Sequence, residues 1–433
     1  MRGPGVTPIG PGAAFRTMKL PDLSRRPTSL VQPPGGPIFL QFRLSLLQLL
    51  IYAAPGAVIP LFSLRLKELG FSPLAIGLCS CTQALGSLIA PMLAGQIADR
   101  WIPAQRCITV CAIVESILLW VLGGLTNPWA VFAVSLTWWL ALSPALTLST
   151  ALCFAHLPRP AQQFGRVRLW GTIGWVLPGW ILGFWLADSQ WMHSLIGQTA
   201  PAMLADTFKI ASVLAAVFAL YTLTLPHTEP QRRGQGLLAP LAAIRLLWGR
   251  AFIVYAACTF GICMVLPFHT QAAPLLLADL GVSPGWLPRV MTIAQFSEVL
   301  TLAIMPYILN RFSVRGTMLL GLVAIIVTLS SLSIGRPLGL ALAGLACYGL
   351  SISCYLVAGQ MYLNHRAGEH VRASAQALHS WLCGLGLLFG NLLVGGVRHL
   401  FHEASTPTFA VGATLGGVLL TIFWIGFPKA SSD

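Results

Sequence analysis

Charged residues are scarce in this sequence. Asp, Glu, Lys and Arg make up only 9% of its 433 residues, whereas a soluble domain carries roughly 25%. A chain with so little charge cannot cover a surface that faces water, which excludes a soluble enzyme, a coiled coil and a disordered protein. Hydrophobic residues make up 56%, and the mean hydropathy is +0.77. This composition indicates a membrane protein, and its long apolar runs favour helices over a β-barrel.

The motifs of common nucleotide and metal sites are also missing. The sequence contains no GxxxxGK[ST] and no HExxH. Its ten cysteines form no CxxC pair, and nearly all fall in apolar runs, where cysteine behaves as a small hydrophobic residue. We therefore expect no metal, no cofactor, no ATP use and no disulfide framework. A polytopic membrane enzyme is disfavoured for the same reasons.

About twelve apolar runs, each long enough to cross a bilayer, follow a basic arm rich in Pro and Gly. We place them at 38–64, 74–98, 107–125, 128–155, 167–187, 206–225, 251–278, 286–309, 316–334, 338–363, 372–397 and 406–427. The short connections leave no room for a soluble catalytic domain. The sequence therefore predicts an all-α polytopic membrane protein with about twelve transmembrane helices.

Weak internal symmetry divides this chain into two halves. A polar connector at 226–250 lies near its midpoint, and the basic loop after Asp99 has a counterpart after Asn310. Parallel six-helix repeats are one plan of secondary transporters. We predict a disordered cytoplasmic arm at 1–37, an N-terminal six-helix bundle at 38–225, a cytoplasmic linker at 226–250 and a C-terminal bundle at 251–428.

The basic residues predict the orientation. The net charge is +14, but no basic block with interleaved aromatic residues suggests nucleic acid. The loops on the side that carries both termini contain 18 Lys and Arg residues, against 6 on the other side. Because cytoplasmic loops collect Lys and Arg, we expect both termini in the cytoplasm.

The loop between the second and third runs resembles the signature of the major facilitator superfamily. It contains Gly95, Asp99, Arg100 and Arg106. A carboxylate at position 99 can cap a helix end and pair with arginine, which would latch the helices in one access state. We interpret this segment as a gating loop.

Few charged residues lie inside the runs, where each costs roughly 2.5–3.5 kcal/mol on insertion scales. Glu298 lies near mid-depth in the run 286–309, and Gln295 is three residues earlier on the same face. Loss of hydration disfavours the charged form of a carboxyl group, so Glu298 could gain and lose a proton during transport. A structural hydrogen bond between helices is the alternative.

Arg168, Thr172 and Trp175 form one stripe of the run 167–187, at spacing i, i+4, i+7. A guanidinium, a hydroxyl and an indole along a cavity wall suit a polar solute that contains a ring. Alternatively, Arg168 extends its charged end to the cytoplasmic surface.

Two more polar patches are candidates for solute contact. His269 and Thr270 lie between Pro267 and Pro274, where we expect an interrupted helix near the midplane. Tyr348 and Tyr355 share a face of the run 338–363, at spacing i, i+7. Packing between helices is the alternative for each of them.

Three stretches resemble the nucleoside:proton symporter family of the major facilitator superfamily. They are FGRVRLWGTIGW, IAQFSEVLTLAIMPYILNRFSVRG and YLVAGQMYLNHRAGEHVRASAQAL, and the similarity extends over about residues 40–425. The resemblance implies that Arg168 and Thr172 contact the solute, that Trp175 stacks on it, and that Gln295 and Glu298 join in binding. Glu298 would also be important for transport. Ser353 stands where family members typically have an aspartate.

The resemblance implies a secondary active transporter of the bacterial inner membrane that takes up nucleosides with protons by alternating access. We expect a monomer in the lipid bilayer whose partners are a small solute and protons. A sugar or another polar solute is the alternative substrate. A transporter-like sensor without flux is a further alternative, which only an uptake assay separates from a carrier.

Overall fold

A computed structural model describes residues 36–100, 103–187, 204–226 and 249–428, and this described part is helical almost throughout, with no strand. The helices are α1 (Gly36–Glu68), α2 (Pro73–Arg100), α3 (Ala104–Gly124), α4 (Pro128–His156), α5 (Pro160–Ala187), α6 (Asp206–Thr222), α7 (Arg250–Pro267), α8 (Ala273–Asp279), α9 (Leu287–Met291), α10 (Ile293–Ala303), α11 (Met305–Ile334), α12 (Leu338–Ser351), α13 (Ala358–Leu400) and α14 (Ser405–Gly426). Two π-helical turns, Phe268–Ala272 and Ile352–Val357, join α7 to α8 and α12 to α13.

The all-α polytopic fold predicted from the apolar runs is confirmed. Within the described residues, nine helical stretches are long and apolar enough to cross a membrane. The remaining predicted runs correspond to α2, to the 17-residue helix α6, and to the short helices that begin at Leu287. The protein is therefore an integral, multi-pass membrane protein.

The run 286–309, predicted as a single helix, is interrupted at Thr292 and at Ile304. The hydroxyl of Thr292 donates to the carbonyl of Arg289 at 2.6 Å, a local bond that competes with the helical pattern. Near the second break, Pro306 has no N–H to offer the carbonyl of Leu302. The first turns of α11 complete this crossing, since α11 leaves helical geometry at Ser313.

The chain also reverses its direction within α13, although all 43 residues of this stretch have helical hydrogen bonding locally. The amide of Gln376 donates to Oδ1 of Asn364 at 2.7 Å and to the carbonyl of Gln360 at 3.4 Å. In a straight helix, residues 12 apart would be separated by about 18 Å. The predicted runs 338–363 and 372–397 are therefore two antiparallel crossings.

The helices form two bundles. In the first bundle (α1–α6), α1 packs against α5 and α6, α2 against α4, and α3 against α4 and α6. In the second bundle (α7–α14), α7 packs against α13 and α14, and α11 against α12 and α14. The bundles meet where α13 contacts α2, and where α8 and α9 contact α1. The predicted boundaries stay predictions, since the arm (residues 1–35) and most of the linker (227–248) lie outside the described residues.

One end of the molecule, which we call the terminal end, holds the start of α1 and the end of α14. There the hydroxyl of Tyr221 donates to the carbonyl of Arg43 at 2.6 Å, and Arg250 donates to the carbonyl of Ile425 at 3.1 Å. At the opposite end, the far end, Lys67 and Asp279 form an ion pair of 3.1 Å between the bundles.

The two bundles are in close contact at the far end. A Cβ atom on Gly77 of α2 would lie 2.8 Å from the backbone carbonyl oxygen of Asn391 of α13, which is too close for a real Cβ atom, so only glycine allows this approach. The guanidinium of Arg289 lies over the ring of Phe184, 4.2 Å from its centroid. The described helices are therefore packed together at this end.

Candidate functional site

A cavity of about 290 Å³ lies between the two bundles. Its walls come from α1 and α5 of the first bundle, and from the π turn 268–272, α9, α10 and α12 of the second. Eight of the nine predicted solute-contacting residues line it, namely Arg168, Thr172, Trp175, His269, Thr270, Gln295, Glu298 and Tyr348. The volume is near the lower end of the roughly 300–1,000 Å³ typical of small-molecule sites.

The α5 wall presents Arg168, Thr172 and Trp175, because this part of α5 is regular and the spacing keeps one face. The guanidinium of Arg168 lies over the ring of Tyr52 of α1, 4.4 Å from its centroid. This contact holds Arg168 at the cavity rather than directing it to the membrane surface.

Glycines bring α1 and α5 into backbone contact beside this wall. A Cβ atom on Gly174 would run into the carbonyl of Leu49, and one on Gly56 would run into the carbonyl of Trp175. Since backbone atoms cannot rotate away, larger residues at these positions would separate the two helices. The glycines therefore set the position of the α5 wall.

The opposite wall presents Gln295 and Glu298 from α10, both partly buried. Glu298 is close enough to Arg168 for their charges to interact. Among the ion pairs of the described residues, none joins these two groups. A cation of the first bundle and a carboxyl group of the second thus line the same space without direct contact.

The rings of His269 and Tyr348 stack on each other in the lining of the cavity. Their ring centroids are 3.6 Å apart, with an interplanar angle of 17°. His269 belongs to the π turn between Pro267 and Pro274, so the predicted interruption takes the form of a widened turn. Pro274 has no N–H to bond the carbonyl of Thr270, which favours a local change of hydrogen bonding.

Tyr355 does not line this cavity. Its side chain is fully buried, with its ring centroid 6.0 Å from that of Phe423, and a Cβ atom on Gly321 would meet its backbone. A spacing of i, i+7 keeps two residues on one face only in a regular helix. The π turn Ile352–Val357 contains more residues per turn, so Tyr355 leaves the face of Tyr348.

The cavity also contains residues that the sequence argument did not select, namely Tyr52, Gly56, Ile59, Pro60, Gly171, Gly179, Pro288, Met291, Thr292 and Ile352. Tyr52 could have been found as an amphipathic ring in the middle of the run 38–64. Ser353 lies behind the α10 wall, where its hydroxyl donates to the backbone carbonyl of Glu298 at 3.2 Å. Ser353, which stands where family members typically have an aspartate, is thus next to Glu298.

The predicted gating loop is only partly described. The backbone of α2 continues through Gly95, Asp99 and Arg100, but the side chains of Asp99 and Arg100 lie outside the described residues. Arg106 is exposed in the first turn of α3. The latch between Asp99 and arginine stays a prediction.

A second buried acid, Glu115, lies away from this cavity. It is 1% exposed, and the indole of Trp138 donates to its Oε1 at 3.1 Å. This contact within the first bundle favours a structural role. Over the described residues, no group of three His, Cys, Asp or Glu side chains could hold a metal ion.

Comparisons with known proteins agree with this architecture. The sequence profile of the family described as Nucleoside H+ symporter matches residues 38–432. YegT of Escherichia coli (strain K12) is 26% identical over 396 residues, covering 87% of this chain and 90% of YegT.

The nucleoside permease NupG of the same organism is 24% identical over 389 residues, covering 84% of this chain and 89% of NupG. The crystal structure of NupG superposes with a TM-score of 0.77 at 22% identity, covering 90% of this chain and 99% of that one. The maltose permease of Geobacillus stearothermophilus is 25% identical over 376 residues, covering 86% of this chain and 91% of the permease.

Proposed function

Because the chain belongs to the nucleoside H+ symporter family, we propose that its solute is a nucleoside bound in the cavity between the bundles and that Glu298 carries the coupled proton. The protein is a secondary active transporter and not an enzyme. The observation that carries the proposal is the arrangement of the cavity, where eight predicted residues from both bundles lie together.

The chemistry of the walls fits a nucleoside. A flat base can stack on Trp175, since aromatic faces bind other rings. The guanidinium of Arg168 and the amide of Gln295 can bond the polar edges of the base and the hydroxyls of the ribose. Because these groups belong to different bundles, a bound solute would bridge them.

The position of Glu298 explains how a proton could be coupled to the solute. A carboxyl group in this partly buried site is neutral when protonated and attracted to Arg168 when ionised. In our proposal, Glu298 is protonated while the solute is bound. When the proton and the solute have both left, the carboxylate of Glu298 interacts with Arg168. The two protonation states thus favour different arrangements of the two bundles.

We also propose how the carrier is placed in the membrane. The excess of Lys and Arg in the loops of the terminal end supports cytoplasmic termini. The far end, where the bundles are packed together, then faces outward. We further propose a monomer in the bacterial inner membrane, with six-helix bundles at 38–225 and 251–428.

The test is uptake by purified protein in liposomes. Labelled uridine, adenosine, ribose and maltose are compared, each with and without an inward proton gradient. We expect accumulation of at least one nucleoside only when the gradient is present. If the nucleosides only equilibrate across the membrane even when the proton gradient is present, or if the sugars alone accumulate, the proposal is contradicted.

Similarity to the maltose permease keeps a sugar as the second candidate solute. A sugar needs mainly hydrogen-bond donors and acceptors, which the cavity also offers through Thr172, Gln295 and Glu298. The same substrate panel separates the two candidates.

A further inference from the structure

A second, smaller cavity lies between the bundles beside the main one. It measures about 40 Å³, and its polar lining includes Ser63, Thr82, Gln83, Gln271 and Asn391. Ile59 and Thr270 line both cavities, so they form a common wall. The main site uses none of the five polar residues named here.

Gln271 is the residue that most requires a partner in this cavity. Its side chain is 2% exposed, and among the described residues neither its Oε1 nor its Nε2 has a hydrogen-bond partner. The hydroxyl of Ser63, also in the lining, is buried and unpartnered in the same sense. Buried polar groups in native proteins are nearly always bonded to protein or to ordered water.

The size and chemistry of the lining select water as the ligand. A water needs about 10–15 Å³ by this measure and two to four polar partners, so the cavity has room for two. The lining is uncharged and mixes amide donors with hydroxyl and carbonyl acceptors. A divalent metal cation favours carboxylate ligands, which the lining lacks, and a nucleoside is too large.

The cavity exists only while the bundles are together. Ser63, Thr82 and Gln83 belong to the first bundle, whereas Gln271 and Asn391 belong to the second. The close approach of Gly77 to Asn391 and Gly395 lies beside it on α2 and α13. The helices that form the cavity must therefore separate when the far end opens.

We propose that this small cavity binds one or two ordered waters, held by Gln271, which bridge the two bundles and close the far end with a hydrated contact. A hydrated contact separates at low cost, because Gln271 and its partners bond to water in both states. A dry apolar contact would resist opening, since it would expose hydrophobic surface.

Cys79 reports the opening of this cavity. It lines the cavity and is 1% exposed, so a thiol reagent reaches it only when the bundles separate. The rate of modification by N-ethylmaleimide is read at Cys79 by peptide mass spectrometry in the full chain, in detergent and without solute. A failure of nucleoside binding would therefore leave this result unaffected.

The variants are Gln271→Leu, Gln271→Asn and the control Gln48→Leu. Leucine should slow modification of Cys79 by roughly 10- to 150-fold, because opening would expose its apolar side chain to water. Asparagine should restore most of the rate. Gln48 is a buried glutamine bonded to Ser149 and Cys153 inside the first bundle, so its replacement should leave the rate at Cys79 unchanged.

A structure at a resolution that shows ordered water gives the direct observation. Water density within hydrogen-bonding distance of Oε1 and Nε2 of Gln271 supports the proposal. A dry cavity, or a cation at metal–ligand distances, overturns it. Faster or unchanged modification of Cys79 in Gln271→Leu would likewise overturn it, because Gln271 would then act as a plain seal or play no part.

Discussion

Replacing Gly349 by alanine should disturb the α10 wall without touching the solute. Gly349 lies on α12, where a Cβ atom would run into the carbonyl of Ala294 and the backbone nitrogen of Glu298 and would lie 3.0 Å from the carbonyl carbon of Ser297. All three are backbone atoms of α10, so no side-chain rotation can relieve the contact. The two helices must move apart, and Glu298 moves with α10.

The expected size follows from this contact. Overpacking of a close helix–helix contact costs about 1–3 kcal/mol, and a shift of about 1 Å at a binding group can reduce activity by about 100-fold. We therefore expect Gly349→Ala to lower gradient-driven uridine uptake by roughly 10- to 100-fold and to lower the Tm in detergent.

Gly339→Ala is the matched control. Gly339 lies on the same helix, and a Cβ atom there would have nothing within 4 Å. This variant should transport normally and melt at or slightly above the Tm of the parent, since alanine favours a helix over glycine. Normal uptake and an unchanged Tm in Gly349→Ala would refute the reasoning, because the backbone contact would then not position Glu298.

Two further predictions concern the α5 wall. Trp175→Ala should weaken uridine binding by roughly 5- to 150-fold, because stacking on a base is worth about 1–3 kcal/mol, and should affect ribose much less; equal losses in equilibrium binding would argue against stacking. Gly174→Ala should push α5 away from the carbonyl of Leu49 and reduce both uridine binding and Tm. The control is Gly165→Ala on the same helix, where a Cβ atom would have nothing within 4 Å. Equal effects of the two substitutions on uridine binding and Tm would contradict the explanation.

Regular helices made part of the site predictable from sequence. Arg168, Thr172 and Trp175 lie on one uninterrupted helix, so their spacing alone placed them on one wall. The apolar runs predicted the crossings for the same reason, because length and hydropathy are local properties of the chain.

Irregular geometry and contacts between distant segments were not predictable in this way. The turn Ile352–Val357 shifts Tyr355 away from the cavity, and a helical wheel cannot anticipate a π turn. The contact of Tyr52 with Arg168 depends on how α1 packs against α5. The cavity around Gln271 depends on two bundles whose sequences are far apart. A single sequence carries no direct signal for any of these.

The central claim is that solute moves with a proton carried by Glu298, and accumulation by Glu298→Gln tests it most directly. Glutamine keeps the size of the side chain but stays neutral throughout the cycle. A gradient of one pH unit is worth about 1.4 kcal/mol per proton, or about tenfold accumulation at one proton per solute. Liposomes containing the parent protein should reach such accumulation of uridine. Liposomes containing Glu298→Gln should show no accumulation, while uridine still moves down its own concentration gradient. If the variant still concentrates uridine with a normal dependence on pH, Glu298 does not carry the proton.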